Sequence, residues 1–252
     1  MLESILEIIT VTKNDRDGFL KTINSSKILR ENFNIKHLII DSSDIDIKKE
    51  IEQISNNEKN VLYFWQEPAG ISNAFNYGLS IIKSKWVWFL NGGDIINKDL
   101  DLNNFLNILN TSSADAIIFQ IQYMQTGEIL QHPELWSLWP PILSWIPHPA
   151  TIIKVELFKK YGNFDEKLKI AMDYELWLRF FINHVIVDII SIPIVIFDQN
   201  GLAYKLNNKT KEEVAQILRK YFWQIIKKWF WQLRMIIKAL IINSIFFRNK
   251  FK

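Results

Sequence analysis

Cysteine is absent from the chain. That excludes a disulfide scaffold, thiolate zinc sites and a cysteine nucleophile at once, and it fits a reducing compartment. No stretch of about 18 uncharged apolar residues occurs, so a conventional membrane-spanning helix is not expected. The opening residues carry Glu3 and Glu7 ahead of any apolar run, which does not suit a secretory leader. There is no G-x-G-x-x-G and no Walker-type phosphate loop, so neither a dinucleotide fingerprint nor a P-loop is indicated. His37, His132 and His184 share no metal-ligand spacing. Acids are missing from Val214 to the end, where nine Lys and Arg stand: Arg219, Lys220, Lys227, Lys228, Arg234, Lys238, Arg248, Lys250 and Lys252.

The net charge of +3 therefore hides a mildly acidic body and a strongly basic tail. With 252 residues, 48% hydrophobic and 23% charged, the chain has the composition of a globular protein of one large or two small domains. The division expected is a body over residues 1–213 and a tail over 214–252.

Residues 4–12 are short, β-branched and almost wholly apolar, as in a strand buried on both faces. Similar runs at 35–40, 61–65 and 86–90 alternate with helical stretches at 19–29, 47–55 and 71–83, with Asp15 or Asp17 placed to cap the first helix. This alternation predicts a parallel sheet with right-handed crossovers, and ligands in such sheets sit at the carboxyl ends of strands. Thr12-Lys13-Asn14, Asp41-Ser42-Ser43-Asp44 and Asn91-Gly92-Gly93-Asp94 all fall at such ends. Beyond Asp115 the spacing predicts a hairpin over 116–130, a strand over 148–153, helices over 155–161 and 173–183, and one or two strands over 185–197.

Several segments carry a likeness. Gly70-Ile71-Ser72-Asn73-Ala74-Phe75-Asn76-Tyr77-Gly78 is followed by Leu90-Asn91-Gly92-Gly93-Asp94, then His148-Pro149, Gly162-Asn163-Phe164-Asp165-Glu166 and Asp173-Tyr174-Glu175-Leu176-Trp177-Leu178-Arg179. In this order they resemble the G-I-Y-D-A-M-N-x-G, L-N-x-G-D, H-Q/P, G-x-F-D-E and D-Y-D/E-L-x-x-R motifs of family 2 glycosyltransferases, in particular the bacterial colanic-acid type. Ile8-Ile9-Thr10-Val11, Ile39-Ile40-Asp41-Ser42-Ser43-Asp44 and Phe197-Asp198-Gln199-Asn200-Gly201 extend the resemblance to about residues 4–205. Asn73 departs from the family's usual Asp, and Asp94 is the one acid of the metal motif.

The resemblance implies a GT-A fold: a Rossmann-like, mostly parallel α/β sheet flanked by helices, with the basic helical tail appended. It implies inverting transfer of a sugar from a nucleotide-diphospho-sugar to a saccharide acceptor in bacterial polysaccharide synthesis. Asp173 would be the general base; its other reading is a helix N-cap. Asp94 would hold Mg2+ or Mn2+ against the diphosphate; its other reading is a plain turn. Donor contacts would come from Thr10, Thr12, Asp41, Gly70, Asn73, Asn76, Asn91 and His148, with Asp41 alternatively capping its turn and His148 alternatively structural. Arg179 is read as pairing with a carboxylate or solvating a helix face. Rival readings are a sugar-nucleotide-forming nucleotidyltransferase, whose Gly-rich basic loop after the first strand is missing here, and a non-catalytic subunit of an assembly complex.

In the tail, Lys220, Gln224, Lys227, Lys228, Gln232, Arg234 and Lys238 fall on one side of a helical wheel. Phe222, Trp223, Ile225, Ile226, Trp229, Phe230 and Leu233 fall on the other. That distribution suits an in-plane helix at an anionic membrane surface, or else a helix docked on the body. The expected setting is the cytoplasmic face of the cell membrane with a lipid-linked acceptor. Trp136, Trp139, Trp145 and Tyr174 form the expected acceptor platform, with core packing as the other role for the tryptophans. Nucleic acid is not an expected partner, and the sequence does not set a copy number.

Overall fold

A computed structural model describes residues 4–130, 146–197 and 207–250. Its first half alternates β1 (Leu6–Thr12), α1 (Arg16–Ser25), α2 (Lys27–Asn32), β2 (Lys36–Asp41), α3 (Ile45–Asn56), β3 (Val61–Trp65), α4 (Ile71–Ile81) and β4 (Trp86–Asn91). After β5 (Ile95–Ile96) come α5 (Leu102–Thr111), β6 (Ala116–Tyr123), a 3-10 turn (His148–Ala150), β7 (Thr151–Lys154), α6 (Val155–Tyr161), α7 (Met172–Ile182), β8 (Val187–Phe197) and α8 (Asn207–Lys250). The strands form one eight-stranded sheet in the order β3-β2-β1-β4-β7-β6-β8-β5.

The first four strands are parallel, as crossover helices require. The direction then reverses: β7 runs antiparallel to β4 and to β6, and β8 runs parallel to β6. Side chains alternate between two cores. Ile9, Val11, Val87 and Phe89 face α4, α6 and α7, whereas Leu6, Ile8, Trp86 and Trp88 face α2 and α5. The indoles of Trp86 and Trp88 have carbonyl partners, Leu109 at 2.9 Å and Pro149 at 2.7 Å.

Four local features refine or depart from the sequence expectation. The helix expected at 19–29 divides at Ser26, whose hydroxyl bonds the Ile23 carbonyl instead of continuing the turn. The strand expected from His148 begins only at Thr151, because Pro149 has no N–H for the ladder and the chain winds into a 3-10 turn first. β8 is a single strand whose register slips opposite Gln120, where Pro193 interrupts the pairing. The fourth difference is α5, which the strand-by-strand reading passed over although Asp101 caps it through the Asn104 N–H at 3.1 Å.

The last helix starts at Asn207 and passes through position 213 without a break, so the body–tail division at 213 falls inside a continuous element. Glu213, Ile217, Ile225 and Lys228 are buried along one stripe of it, against α7. Phe222, Trp223, Trp229, Phe230, Trp231 and Leu233 stay exposed, Trp223 at 70% and Phe230 at 69%. The docked stripe thus runs along the side that carries Lys220 and Lys228, with Ile225 at its edge, and leaves the aromatic rings of the apolar arc outside. No helix among the described residues is long and apolar enough to cross a membrane.

Candidate active site

The carboxyl ends of β1, β2 and β4 open into a cleft of about 790 Å³. All three polar loops expected there contribute: Thr12 and Lys13, Ser42, and Asn91 through Asp94. The first two loops are tied directly: the Asn14 amide donates to Asp44 Oδ2 at 2.9 Å, its Oδ1 accepts the Asp44 backbone N–H at 2.8 Å, and the Asn14 backbone N–H donates to Ser43 Oγ at 2.8 Å. Gly93 takes a φ of +105°, open to glycine, and its N–H donates to the Thr22 hydroxyl at 2.9 Å. That contact pins the Asn91–Asp94 turn to α1. Asp94 is 5% exposed, and its Oδ2 accepts the Asn91 N–H at 2.7 Å, so the turn role and the cleft position coexist.

From the other half of the chain, α7 brings Asp173 to the same cleft. Asp173 lies in the first turn of α7 but does not cap it: Ala171 is the cap position and has no side-chain bond. The Asp173 carboxylate accepts its neighbour's N–H, from Tyr174 at 2.7 Å. Burial pushes its pKa up to about 6, against the backbone N–H groups of Tyr174 and of Asp173 itself, which favour the charged form.

His148 also lines the cleft, stacked on Phe89 with ring centroids 5.2 Å apart. It is 5% exposed, and among the described residues neither ring nitrogen has a hydrogen-bond partner. Burial lowers its pKa to about 4, so near neutral pH it is an uncharged ring with one donor and one acceptor unmet. Such a group is expensive to bury unless something binds it.

Gly70, Asn91 and Thr12 likewise line the cleft. The other expected donor contacts do not. Thr10 is fully buried and bonds His37 Nε2 at 2.8 Å, inside a polar network continued by Ser26 and Arg30. Asp41 is also fully buried, its Oδ1 taken by the Ser43 N–H and hydroxyl at 2.9 and 2.6 Å and its Oδ2 by the Tyr63 hydroxyl at 2.8 Å. The turn-capping alternative is the one seen.

Asn73 and Asn76 act on protein rather than facing the cleft. Asn73 donates to Glu166 Oε2 at 3.1 Å, Asn76 donates to Glu166 Oε1 at 2.9 Å, and Asn76 also bonds both backbone groups of Phe164. The two amides hold the Glu166 carboxyl below its ordinary range. They join the α4 motif to the Gly162–Glu166 motif. An aspartate at 73 would set a second negative charge against Glu166, and the amide avoids it. Tyr174 packs beside the core away from the cleft lining, its hydroxyl buried without a partner among the described residues and its pKa raised by burial to about 12. Arg179 pairs with Glu175 at 2.7 Å and with the carbonyls of Tyr161, Gly162 and Asn163. Trp136, Trp139 and Trp145, and the 198–202 stretch, lie outside the described residues.

Sequence reasoning passed over three cations of the cleft, Lys13 as an individual ligand, Lys21 and Lys169. Lys13 had a signal, standing in a strand-end loop. Lys21 and Lys169 had none, since only the fold brings α1 and the loop before α7 to one rim. The α4 N-terminus also meets the cleft through Gly70, at φ +106°, with no side-chain cap. Among the described residues no group of three or more His, Asp or Glu gathers as a metal cage.

A family model described as glycosyl transferase family 2 matches residues 7–183. An uncharacterized glycosyltransferase of Rickettsia typhi is 27% identical over 189 residues, covering 70% of this chain and 58% of that protein. Another, from Mycobacterium tuberculosis, is 25% identical over 179 residues, covering 69% and 68%. The chain thus spans less than two thirds of the length of the first of these relatives. Among solved structures, S. aureus TarS (residues 1–349) superposes with a TM-score of 0.62 at 18% identity, covering 77% of this chain and 60% of that one. The fold is the GT-A arrangement, with the C-terminal helix α8 alongside.

Proposed function

Because the chain belongs to glycosyl transferase family 2, we propose that it transfers a sugar, with inversion, from a nucleotide-diphospho-sugar to a hydroxyl of a saccharide acceptor. The observation that carries this reading is the meeting of Asp94 and Asp173, from two separate motifs, in one cleft, with Asp173 desolvated. A base must be within reach of a hydroxyl and have a pKa near working pH, and a carboxylate raised to about 6 meets the second condition.

In this mechanism the acceptor oxygen attacks the anomeric carbon as its proton passes to the Asp173 carboxylate. The bond from that carbon to the diphosphate oxygen breaks, and the nucleoside diphosphate leaves with the electron pair. Lys13, Lys21 and Lys169, with the α4 N-terminus, face the charge that develops on it. The neutral His148 ring donates to, or accepts from, the bound donor.

A divalent cation, Mg2+ or Mn2+, suits the site on the chemistry of its donor set. Mg2+ commonly takes one or two carboxylates and completes its shell with phosphates and water, and Asp94, which follows Gly92 and Gly93 and holds Asn91 through its Oδ2, offers one carboxylate at the cleft. Bound there, the ion would neutralise diphosphate charge.

S. aureus TarS has been solved with UDP and with UDP-GlcNAc, which makes uridine diphosphate sugars the first donor class to try. The exposed rings of Trp223 and Phe230, beside the exposed cations Arg219 and Lys227, support an anionic membrane surface as a partner and a lipid-linked acceptor from bacterial surface polysaccharide synthesis, at the cytoplasmic face.

The test is a thermal-shift screen of UDP-, GDP- and TDP-sugars with and without Mn2+. One nucleotide class should raise the melting temperature in a Mn2+-dependent way, and Asp94→Asn should abolish that dependence. No shift with any nucleotide would defeat the donor reading.

A further inference from the structure

The backbone N–H groups of Lys169, Ile170 and Ala171 all donate to one carboxylate, that of Glu213, at 3.0, 2.9 and 2.9 Å. Lys169 and Ile170 line the cleft, and Ala171 is the cap position of α7, two residues before Asp173. Three successive amides converging on one point make an anion-binding nest. Here the anion comes from α8, a helix outside the 7–183 stretch that the family model matches. Glu213 is 7% exposed. Burial works against its charged form, yet the three amides outweigh it and hold the carboxyl below the usual range.

The same helix grips α7 farther along. Tyr221 donates to Glu175, and the Lys228 ammonium donates to the Phe181 carbonyl and lies 3.1 Å from His184 Nδ1. An anion thus meets the N-terminal end of α7 and a cation its C-terminal end, the signs that a helix dipole favours. The helix that carries Asp173 is held at both ends by residues outside the family segment.

We propose that Glu213 is a positioning residue for glycosyl transfer: by anchoring the 169–171 turn it keeps the Asp173 carboxylate in place at the cleft wall. The proposal rests on the reading of Asp173 as the base. A strut serving only to fasten α8 would leave the environment of Asp173 unchanged when removed. The charged groups that share the cleft with Asp173 are Lys13, Asp15, Asp17, Lys21, Asp94 and Lys169. They remain in any Glu213 variant, so a change in Asp173 reports on the nest or on the Glu213 charge itself, which Glu213→Gln separates.

The experiment uses the full chain without ligand, labelled with 13C at the aspartate side-chain carboxyls and titrated by NMR, together with amide hydrogen exchange at 169–171. Asp173→Asn identifies the Asp173 signal by its loss. In Glu213→Ala the three amides should exchange roughly ten- to a hundredfold faster, as loss of a charge-assisted acceptor implies. The Asp173 midpoint should fall from about 6 toward the ordinary aspartate value.

Glu213→Gln keeps the reach and one acceptor oxygen, so it should lie between wild type and alanine in both readouts. Faster exchange with an unmoved Asp173 midpoint would overturn the proposal, as would unchanged exchange. A midpoint shift in Glu213→Gln as large as in alanine, with wild-type exchange, would trace the effect to lost charge alone and also overturn it. A wild-type Asp173 that titrates at the ordinary value would instead defeat the base reading, a result separable from the exchange data.

Discussion

Replacing Asp173 by asparagine should stop transfer and at the same time make the protein more stable at neutral pH. Asn keeps the shape and the oxygen that accepts the Tyr174 N–H at 2.7 Å, but it has no charge to desolvate. The folded pKa of Asp173 is raised from 3.8 to about 6. The native state therefore binds its proton more tightly than the unfolded chain does. The stability this confers is full below the unfolded pKa and is lost as pH rises through the folded one. A shift of that size corresponds to about 3 kcal/mol at 1.36 kcal/mol per unit. The variant should match wild type near pH 4 and exceed it by about 2–3 kcal/mol above pH 7. For a chain of this size that is a rise of several degrees in melting temperature. Urea melts at pH 4.5, 6 and 7.5, run beside a transfer assay, measure both effects. A variant no more stable than wild type at pH 7.5 would refute the desolvated carboxylate, and undiminished turnover would refute its role.

Two further predictions follow from other parts of the molecule. His148→Phe keeps the stack on Phe89 and removes the two unmet nitrogens, so nucleotide-sugar binding should weaken while folding does not. Because the wild-type ring has its pKa lowered to about 4, wild type loses stability as pH falls below the ordinary histidine value; the variant does not, and urea melts should show the gap between them widening by about 2 kcal/mol from pH 7.5 to 5. Replacing exposed Trp223 and Phe230 by serine should weaken co-sedimentation with phosphatidylglycerol-containing vesicles by about tenfold for each ring, leaving the melting temperature unchanged. Equal sedimentation would remove the membrane role of α8.

The parallel half of the sheet was legible because buried crossover strands announce themselves: β3 lies at the residues its apolar run marks, and β1, β2 and β4 differ by a residue or two. β5, with two residues, is below any sequence window and exists through its pairing with β8. Asp94, Asp173 and His148 were legible as motif residues and do share a cleft. Thr10 and Asp41 lie off the cleft lining because a strand-end position does not fix which neighbours saturate a side chain. Here His37 and Tyr63 reached them first. Glu213 carried no local signal at all. An acid in a helix looks solvated until the fold brings three amides to it, more than forty positions earlier in the chain.

The stretch of chain that a relative would recognise and the stretch that can stand by itself are consequently different. A protein cut after residue 183 would retain the motifs up to Arg179 yet lose β8 and leave three amides and the Phe181 carbonyl without their α8 partners. Domain-swapping experiments within this family should therefore carry the grip on α7 together with its partner, taking the cut beyond Lys228. Otherwise the graft inherits Asp173 without the contacts that hold the helix carrying it.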